Sequence, residues 1–318
     1  MRFAKGHGTG NDFVILPDLD DQLRLSPSLV RQLCDRRTGI GGDGVLRVAP
    51  GSGYSGGSGY SAGSGDSAGS GYSAGSRDSG GSRDSAGSRD SAGSRDSGGS
   101  GDSARWFMDY WNADGSLAEI CGNGIRVFAK YLLDHGLASG PELAIGTRAG
   151  TRTVLREADG RYSVDMGPAL IIGKASAVVG GRRCDGLAVN VGNPHLACMV
   201  SEPVASFDLS VPPEVEAADF PGGVNLEVLN LTGGRSIDMR VHERGSGETL
   251  SCGTGAVAAA VAAAEAVLAG TGGEWSGAWE VRVPGGMLAV TPSATASILT
   301  GPAVIVAEGD WLADWSAG

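Results

Sequence analysis

The strongest constraint on the fold of this chain is a short motif that occurs twice. A cysteine followed by Gly-x-Gly stands at Cys121 as "CGNG" and again at Cys252 as "CGTG", and each motif opens an apolar segment. Nine positions before each cysteine lies a polar residue, Asn112 in one half and Glu243 in the other. Further upstream, "GNDFVI" resembles "GNPHLA". Elements that recur in the same order indicate a chain made of two similar halves.

A low-complexity segment interrupts the first half. Residues 51–104 are nine hexads of the pattern G-S-[GR]-[YD]-S-[AG]. Asn11 precedes Cys121 by 110 positions and Asn193 precedes Cys252 by 59, and removing these 54 residues reduces the first spacing to 56. The near-equal spacings indicate that the hexads were inserted into one of two duplicated halves. We expect a disordered Gly/Ser loop, because almost nothing in the hexads can be buried. A short-period solenoid is the alternative, but alanine is a small residue for its core.

The repeated pattern also predicts the architecture. Runs such as "GVLRVA", "RWFMDYW", "NLEVLNL" and "IDMRVHE" predict strands, and the segments after both cysteines predict helices. The first of these, "IRVFAKYLLDHG", has one apolar face, whereas "AVAAAVAAAEAVLAG" is apolar nearly all round, which is typical of a helix buried inside a sheet. We therefore expect an α+β fold of two pseudo-symmetric domains, each a mixed sheet wrapped around a central helix, with the active site in the cleft between them. The expected bounds are 1–148 and 149–300, with 301–318 a strand or tail that returns to the first domain.

Composition excludes several classes of function. The formal net charge of −11 argues against nucleic acid and against an anionic membrane as partners. No apolar run reaches about 18 residues without polar breaks, and the first residues do not read as a signal peptide, so we expect a cytoplasmic protein. The five cysteines include no CxxC pair and the four histidines are scattered, which disfavours a disulfide framework and a metal site.

A glycine-rich stretch could suggest a nucleotide cofactor. "GIGGDG" (39–44) matches G-x-G-x-x-G, but it precedes the strand-like "VLRV" rather than a helix. The dinucleotide-binding fingerprint requires the opposite order, so we reject that reading and expect a tight turn near the cleft. No phosphate-binding loop motif is present, and no lysine lies in a pattern typical of pyridoxal phosphate. We expect no cofactor.

The two cysteines suggest a chemistry that needs only side chains. A thiol at a helix N-terminus lies near the positive end of the helix dipole and beside unpaired amides, so we expect the pKa of both thiols to fall. The glycines leave those amides open to a carboxylate. Two such helix ends that face each other would place one sulfur on each side of a carbon atom. One thiolate could then remove a proton from one face while a thiol supplies a proton to the other.

These motifs together resemble the diaminopimelate epimerase family. The resemblance rests on segments in family order: "GTGNDF" (8–13), "GIGGDG" (39–44), "NADGSLAEICGNGIR" (112–126), "VGNPH" (191–195), "VNLEV" (224–228) and "ERGSGETLSCGTGA" (243–256). It implies a two-domain fold and the cofactor-independent conversion of LL- to meso-diaminopimelate, a small-molecule substrate of lysine and peptidoglycan precursor synthesis. The segment between "GVLRV" and "NADG" is short in the family, so the hexads are a departure from its pattern.

The resemblance also assigns roles to residues. It implies that Cys121 and Cys252 are the acid/base pair, with His195 in support near the thiols. The substrate-binding set that it implies is Asn11, Asn112, Gly122, Asn123, Asn193, Asn225, Glu243, Arg244, Gly253 and Thr254. In this set the amides of the two helix starts hold the reacting carboxylate, and the asparagines and Arg244 meet the far amino-acid end. The asparagines could equally be local turn caps, and Arg244 a solvated charge.

Two other functions compete with this assignment. One is a different cofactor-independent racemase on the same scaffold, for proline, hydroxyproline or histidine. Arg244 with Asn225 disfavours it, because that pair suits a long substrate with two zwitterionic ends. The other is a non-catalytic anion-binding protein, which would need the amides but not two thiols. Whether the chain is a monomer or a homodimer stays open at this stage.

Overall fold

The structure is a computed structural model, and it describes residues 1–51, 104–268, 275 and 277–312. Three α-helices lie in these ranges: α1 (Pro27–Cys34), α2 (Gly122–Asp134) and α3 (Gly253–Leu268). The strands of the first half are β1 (Arg2–Gly8), β2 (Asn11–Pro17), β3 (Gly44–Pro50), β4 (Trp106–Asn112), β5 (Glu142–Thr147), β6 (Gly150–Arg156) and β7 (Tyr162–Asp165). The remaining strands are β8 (Leu170–Val179), β9 (Arg182–Asn190), β10 (Pro194–Met199), β11 (Glu214–Val215), β12 (Asn225–Gly233), β13 (Ser236–Glu243), β14 (Gly247–Thr249), β15 (Trp279–Val283), β16 (Gly286–Thr291), β17 (Ile298–Gly301) and β18 (Val304–Asp310).

The two halves have the same topology. In the first, β1 pairs antiparallel with β2, β2 parallel with β3, and β3 antiparallel with β4. After α2, β4 pairs parallel with β5, and antiparallel pairs continue through β6 to β7. The second half repeats this series with β9, β10, β12 and β13, then α3, then β15, β16 and β17. The predicted α+β fold, with a mixed sheet around a helix in each half, is confirmed.

Each half surrounds its own helix. Helix α2 contacts β1 to β7, and α3 contacts β9, β10, β12, β13, β15 and β16. The predicted face of α2 is fully buried at Ile125 and Phe128. Helix α3 is buried at every described position from Ala256 to Ala264, because alanine lets the surrounding strands approach it closely. Among the helices of the described ranges, none is long and apolar enough to cross a membrane.

The halves are joined by strand pairing. Strand β7 pairs antiparallel with β17, and β18 pairs antiparallel with β1. Strand β18 thus has the position in the first half that β8, paired with β9, has in the second half. The end of the chain therefore contributes a strand to the half that contains α2. Residue 148, the expected boundary between domains, lies between β5 and β6, which pair with each other and both contact α2.

In the sequence the hexads lie between β3 and β4, which pair as a hairpin. Of residues 51–104, only Gly51 and Ala104 are described, so the predicted disorder of the segment and its alternative lie outside the described residues. The flanking strands pair from Gly44↔Asn112 to Pro50↔Trp106, and the Gly51 amide donates to the Arg105 carbonyl. Six residues along a strand span about 20 Å. Gly51 and Ala104 therefore lie at the opposite end of the paired strands from Asn112.

Candidate active site

The two cysteines occupy equivalent positions at the starts of α2 and α3. Cys121 is the N-cap of α2, and its sulfur accepts a hydrogen bond from the Gly124 amide at 3.3 Å. The sulfur of Cys252 accepts one from the Gly255 amide at 3.4 Å. A thiol thus takes the place of the hydroxyl or carboxylate that usually caps a helix. In each case the sulfur accepts a hydrogen bond from the amide three residues later.

The two helix starts are in contact with each other. A Cβ added to Gly253 would lie 3.2 Å from the Gly122 Cα, and one added to Gly122 would lie 2.8 Å from a methyl group of Leu299. Gly253 is therefore required by the close approach of the two helix starts, and Gly122 by the packing of Leu299 and Met166 against it. The contact brings together the unpaired first-turn amides of two helices, whose partial positive charges favour a bound anion.

The pKa of both thiols differs from the sequence-based expectation. Backbone amides do lower the pKa of Cys121, as expected of a helix start, but burial outweighs them and raises it to about 11. Burial also raises the pKa of Cys252 well above its ordinary value, and the carboxylates of Glu243 and Glu227 raise it further. The prediction of two lowered values is wrong, because removal of a thiolate from water costs more than the helix ends return.

Asn11 and Asn123 connect the two helix starts. The Asn11 Oδ1 accepts hydrogen bonds from the Cys121 thiol at 3.6 Å and from the Asn123 Nδ2 at 3.2 Å. Asn123 is fully buried, and its Nδ2 also donates to the carbonyl of Ser251, directly before Cys252. The structure thus places Asn11 against Cys121, and Asn123 between Asn11 and the residue that precedes Cys252.

A buried pair of titratable groups lies beneath Cys252. The Nδ1 of His195 lies 2.7 Å from Glu227 Oε1, and both side chains are fully buried. The Nε2 of His195 lies 3.0 Å from Asn193 Oδ1. A Cβ on Gly255 would lie 2.6 Å from the same carboxylate oxygen, so Glu227 packs directly against the first turn of α3. Burial raises the pKa of Glu227, although His195 opposes that effect.

The remaining predicted residues form smaller groups. The Oδ1 of Asn225 accepts the Arg244 backbone amide at 2.9 Å, and the exposed Arg244 guanidinium donates to the Gly222 carbonyl. Glu243 accepts from the Thr249 hydroxyl, and burial raises its pKa. The Thr254 hydroxyl lies 3.4 Å from the Cys252 sulfur.

Asn112 is the predicted site residue with a purely local contact. Its Nδ2 donates to the Ser116 hydroxyl at 3.0 Å, within the "ADGS" turn that follows β4. Among the described residues the structure gives its side chain no hydrogen bond to another member of the predicted set. In the structure Asn112 therefore acts as a cap of this turn.

Four residues near the thiols were missed from the sequence. These are Asp43, Tyr110, Arg126 and Glu227. Burial raises the pKa of Tyr110 well above its ordinary value, and the nearby Cys121 and Glu243 add to that effect. Arg126 is fully buried one turn after Cys121. Two of the four were within reach of sequence reasoning, because a charged residue inside the apolar runs "IRVF" and "NLEVL" is a signal for a buried, partnered group.

The described residues contain no cluster of three or more histidine, cysteine, aspartate or glutamate side chains arranged to hold a metal ion. The predicted residues that come together are therefore thiols, amides and carboxylates around two helix ends. This set can bind an anion and move protons between sulfur and a bound carbon acid.

The family model and the sequence relatives described below all carry the name diaminopimelate epimerase. The sequence model described as diaminopimelate epimerase matches residues 3–66, 100–172 and 187–306, which leaves most of the hexads unmatched. A diaminopimelate epimerase of Thermobifida fusca is 47% identical over 310 residues, which cover 98% of this chain and 97% of that protein. One of Mycobacterium tuberculosis is 46% identical over 323 residues, which cover 99% of this chain and 98% of the relative.

Solved structures share the fold at low identity. A probable proline racemase from Agrobacterium radiobacter has a TM-score of 0.61 at 13% identity and covers 98% of this chain and 93% of that one. A predicted epimerase from Pseudomonas aeruginosa has a TM-score of 0.60 at 14% identity and covers 98% and 99%. These neighbours share only the duplicated architecture, whereas the sequence matches extend across both cysteine motifs. The chain belongs to the diaminopimelate epimerase family.

Proposed function

We propose that this protein is an isomerase that interconverts LL- and meso-diaminopimelate without a cofactor. The observation that carries the proposal is the contact between two helix starts that are each capped by a thiol, in a member of the diaminopimelate epimerase family. A binding protein would need the amides alone. A pair of thiols at equivalent positions serves a reaction that has two equivalent faces.

The proposed reaction is an inversion at the α-carbon. The reacting carboxylate is held by the amides at the starts of α2 and α3, including those of Gly122, Asn123, Gly253 and Thr254. The thiolate on one side takes the α-proton as the C–H bond breaks, and the thiol on the other side gives its proton to the opposite face. The amides stabilise the negative charge that develops on the carboxylate. The two sulfurs have then exchanged protonation states, which prepares the reverse direction.

The distal residues would determine which amino acid is accepted. Arg244 has one guanidinium nitrogen on Gly222, and no described residue accepts from its remaining N–H groups, which can therefore bind a second carboxylate. Asn225 holds the Arg244 backbone, and its register partner in the neighbouring strand β10 is His195, two residues after Asn193. We assign these residues and Asn112 to the far zwitterionic end of the substrate. Glu243 and His195 lie on the Cys252 side of the site and support the thiols.

The first prediction concerns the reaction itself. Reduced protein incubated with diaminopimelate in D₂O is expected to place deuterium at the α-carbon and to convert the pure LL-isomer into a mixture with the meso form. Proline, hydroxyproline and histidine serve as controls, and they are expected to show no exchange above background. Exchange in one of the controls but not in diaminopimelate would replace the proposed substrate, and no exchange in any of them from a folded, reduced sample would contradict the epimerase assignment.

The second prediction follows from the pKa of the thiols. Because burial raises the pKa of Cys121 to about 11, the free site holds thiols at neutral pH, and the thiolate population rises about tenfold per pH unit below that value. Since kcat/KM reports groups of the free enzyme, it is expected to rise steeply between about pH 6.5 and 8.5. Initial rates at low substrate concentration measure it. A flat or falling profile would show that the free enzyme already carries its thiolate.

We also propose a reducing compartment such as the cytoplasm for this activity. The mechanism needs both thiols free, and all five cysteines are free in the structure.

A further inference from the structure

The carboxylate of Asp43, a residue without a predicted role, sets the orientation of the Asn11 amide. The Asn11 Nδ2 donates to Asp43 Oδ2 at 2.7 Å, and the same oxygen accepts the Asp12 backbone amide at 3.1 Å. A carboxylate only accepts hydrogen bonds, so it holds the nitrogen of the Asn11 amide and turns the oxygen away. That oxygen faces the Cys121 thiol.

Asp43 is itself held in place. Its other oxygen accepts from the Arg36 guanidinium at 2.7 Å, and Arg36 also pairs with Asp12. The backbone amide of Asp43 donates to the Asp12 carbonyl at 2.7 Å. The turn of residues 39–44 packs against the end of α1, where the Gly41 amide donates to the Leu33 carbonyl. Asp43 therefore lies directly before the start of β3.

The side-chain amide of Asn123 is oriented through its oxygen, whereas that of Asn11 is oriented through its nitrogen. The Nη2 of Arg126 donates to Asn123 Oδ1 at 2.7 Å, and its Nη1 donates to the Gly122 carbonyl at 2.9 Å. A guanidinium only donates, so it holds the oxygen of Asn123 and directs the nitrogen toward Asn11. Among the described residues Arg126 has no carboxylate in ion-pair distance, although it is fully buried. Its acceptors are carbonyl and amide oxygens, and the Asn123 oxygen is one of them.

We propose that Asp43 and Arg126 are positioning residues that fix Asn11 and Asn123 in the one orientation that presents a hydrogen-bond acceptor to Cys121. Asp43 can only accept and Arg126 can only donate. The amides of Asn11 and Asn123, which lie between them, therefore have a single consistent arrangement. In that arrangement the Cys121 proton is held by an oxygen, so the thiol keeps the proton that it must later transfer. This inference extends the proposed function, but the protonation of Cys121 can be measured without any substrate.

Other charged groups face Cys121 and enter the test. Glu243 at the end of β13 raises its pKa, and Arg126 on α2 lowers it. Tyr110 on β4 lies near both Cys121 and Cys252, because the charge of each thiolate raises the pKa of its hydroxyl. A neutral residue at position 43 removes one negative charge from the surroundings of Cys121. The loss of charge by itself favours the Cys121 thiolate. The design must therefore separate loss of charge from loss of the acceptor.

The test compares Asp43→Ala with Asp43→Asn. Both variants remove the same charge, but the asparagine still offers an oxygen to the Asn11 nitrogen. In Asp43→Ala the Asn11 amide can turn its N–H groups to Cys121, and a donor at this place favours the thiolate, which lowers the pKa by about one unit. Because tenfold more thiolate is partly offset by lower nucleophilicity, alkylation of Cys121 by iodoacetamide is expected to be about threefold faster at pH 8 than in Asp43→Asn. Peptide mass spectrometry measures Cys121 and Cys252 separately, and the Cys252 rate should be equal in the two variants.

Turnover supplies a second readout of the same comparison. We expect the rise of kcat/KM with pH to begin about one pH unit lower in Asp43→Ala than in Asp43→Asn, because the lowered pKa of Cys121 supplies the thiolate at lower pH. Equal alkylation rates at Cys121 in the two folded variants would overturn the positioning role, whatever substrate the enzyme accepts. If Asp43→Ala does not fold, neutron diffraction from wild-type crystals decides the matter. Deuterium on the Asn11 atom that faces Asp43 supports the proposal, and deuterium on the atom that faces Cys121 overturns it.

Discussion

Replacement of Cys121 or Cys252 by alanine is expected to lower the rate of epimerisation at least about a thousandfold, since each thiol carries one of two obligatory proton transfers. The remaining thiol can still remove and return a proton on its own face. Each variant is therefore expected to exchange the α-hydrogen of one diastereoisomer in D₂O with retention of configuration. Chiral chromatography of the product together with mass spectrometry measures both quantities.

The matched control is Cys184→Ala. Cys184 is also a buried free cysteine, but it lies on β9 in the core cluster that excludes α2 and α3. We expect this variant to keep wild-type turnover, because no step of the reaction uses its sulfur. Full epimerase activity in either Cys121→Ala or Cys252→Ala would show that the second proton comes from another group, and Tyr110 and Glu243 would be the next residues to test.

Gly255→Ala is expected to destabilise the fold by about 2–3 kcal/mol, the cost of forcing a methyl group into a packed interior. The new Cβ would lie 2.6 Å from Oε1 of Glu227, a fully buried carboxylate held by His195. The carboxylate cannot move outward to relieve the contact. Urea unfolding followed by circular dichroism measures the change in the free energy of unfolding.

Gly124→Ala is the matched variant at the same position of α2. Its Cβ would lie 3.3 Å from both the Cys121 Cβ and a methyl group of Leu46, so small shifts relieve it. Alanine also stabilises a helix by up to about 1 kcal/mol relative to glycine, which offsets part of the crowding. We expect a change of less than about 1 kcal/mol. Equal losses in the two variants would mean that Glu227 does not limit the space at the start of α3.

Sequence patterns anticipated the elements whose formation is local. The length of α2 followed from the apolar spacing of "IRVFAKYLLD" and from Gly136, which adopts a φ of +64° after the helix ends. The duplicated spacing of the motifs anticipated two halves of one topology. Strand β8 was missed, because Leu170, Ile171 and Ile172 form an exposed apolar run without the alternation typical of a half-buried strand.

The candidate site was anticipated in its residues but not in its electrostatics. The cysteine motifs placed two thiols at helix starts, and the structure brings those starts into contact. The expectation of a lowered thiol pKa considered only the helix to which each cysteine belongs. Burial and the carboxylates of β12 and β13 reverse it at Cys252. Glu243 lies only nine positions before Cys252, but Glu227 is distant in sequence and burial depends on the whole fold, so no local pattern could weigh these effects together.

The sequence by itself determined which residues cap α2 and α3 and that the two halves repeat, because helix capping and strand pairing within a half depend on neighbouring residues and on spacing. Only the tertiary structure decided how the thiols are protonated and which way Asn11 turns. Both depend on partners from several elements, Asp43 before β3, Arg126 on α2 and Glu227 on β12, and a buried charge or amide takes its state from every group packed around it.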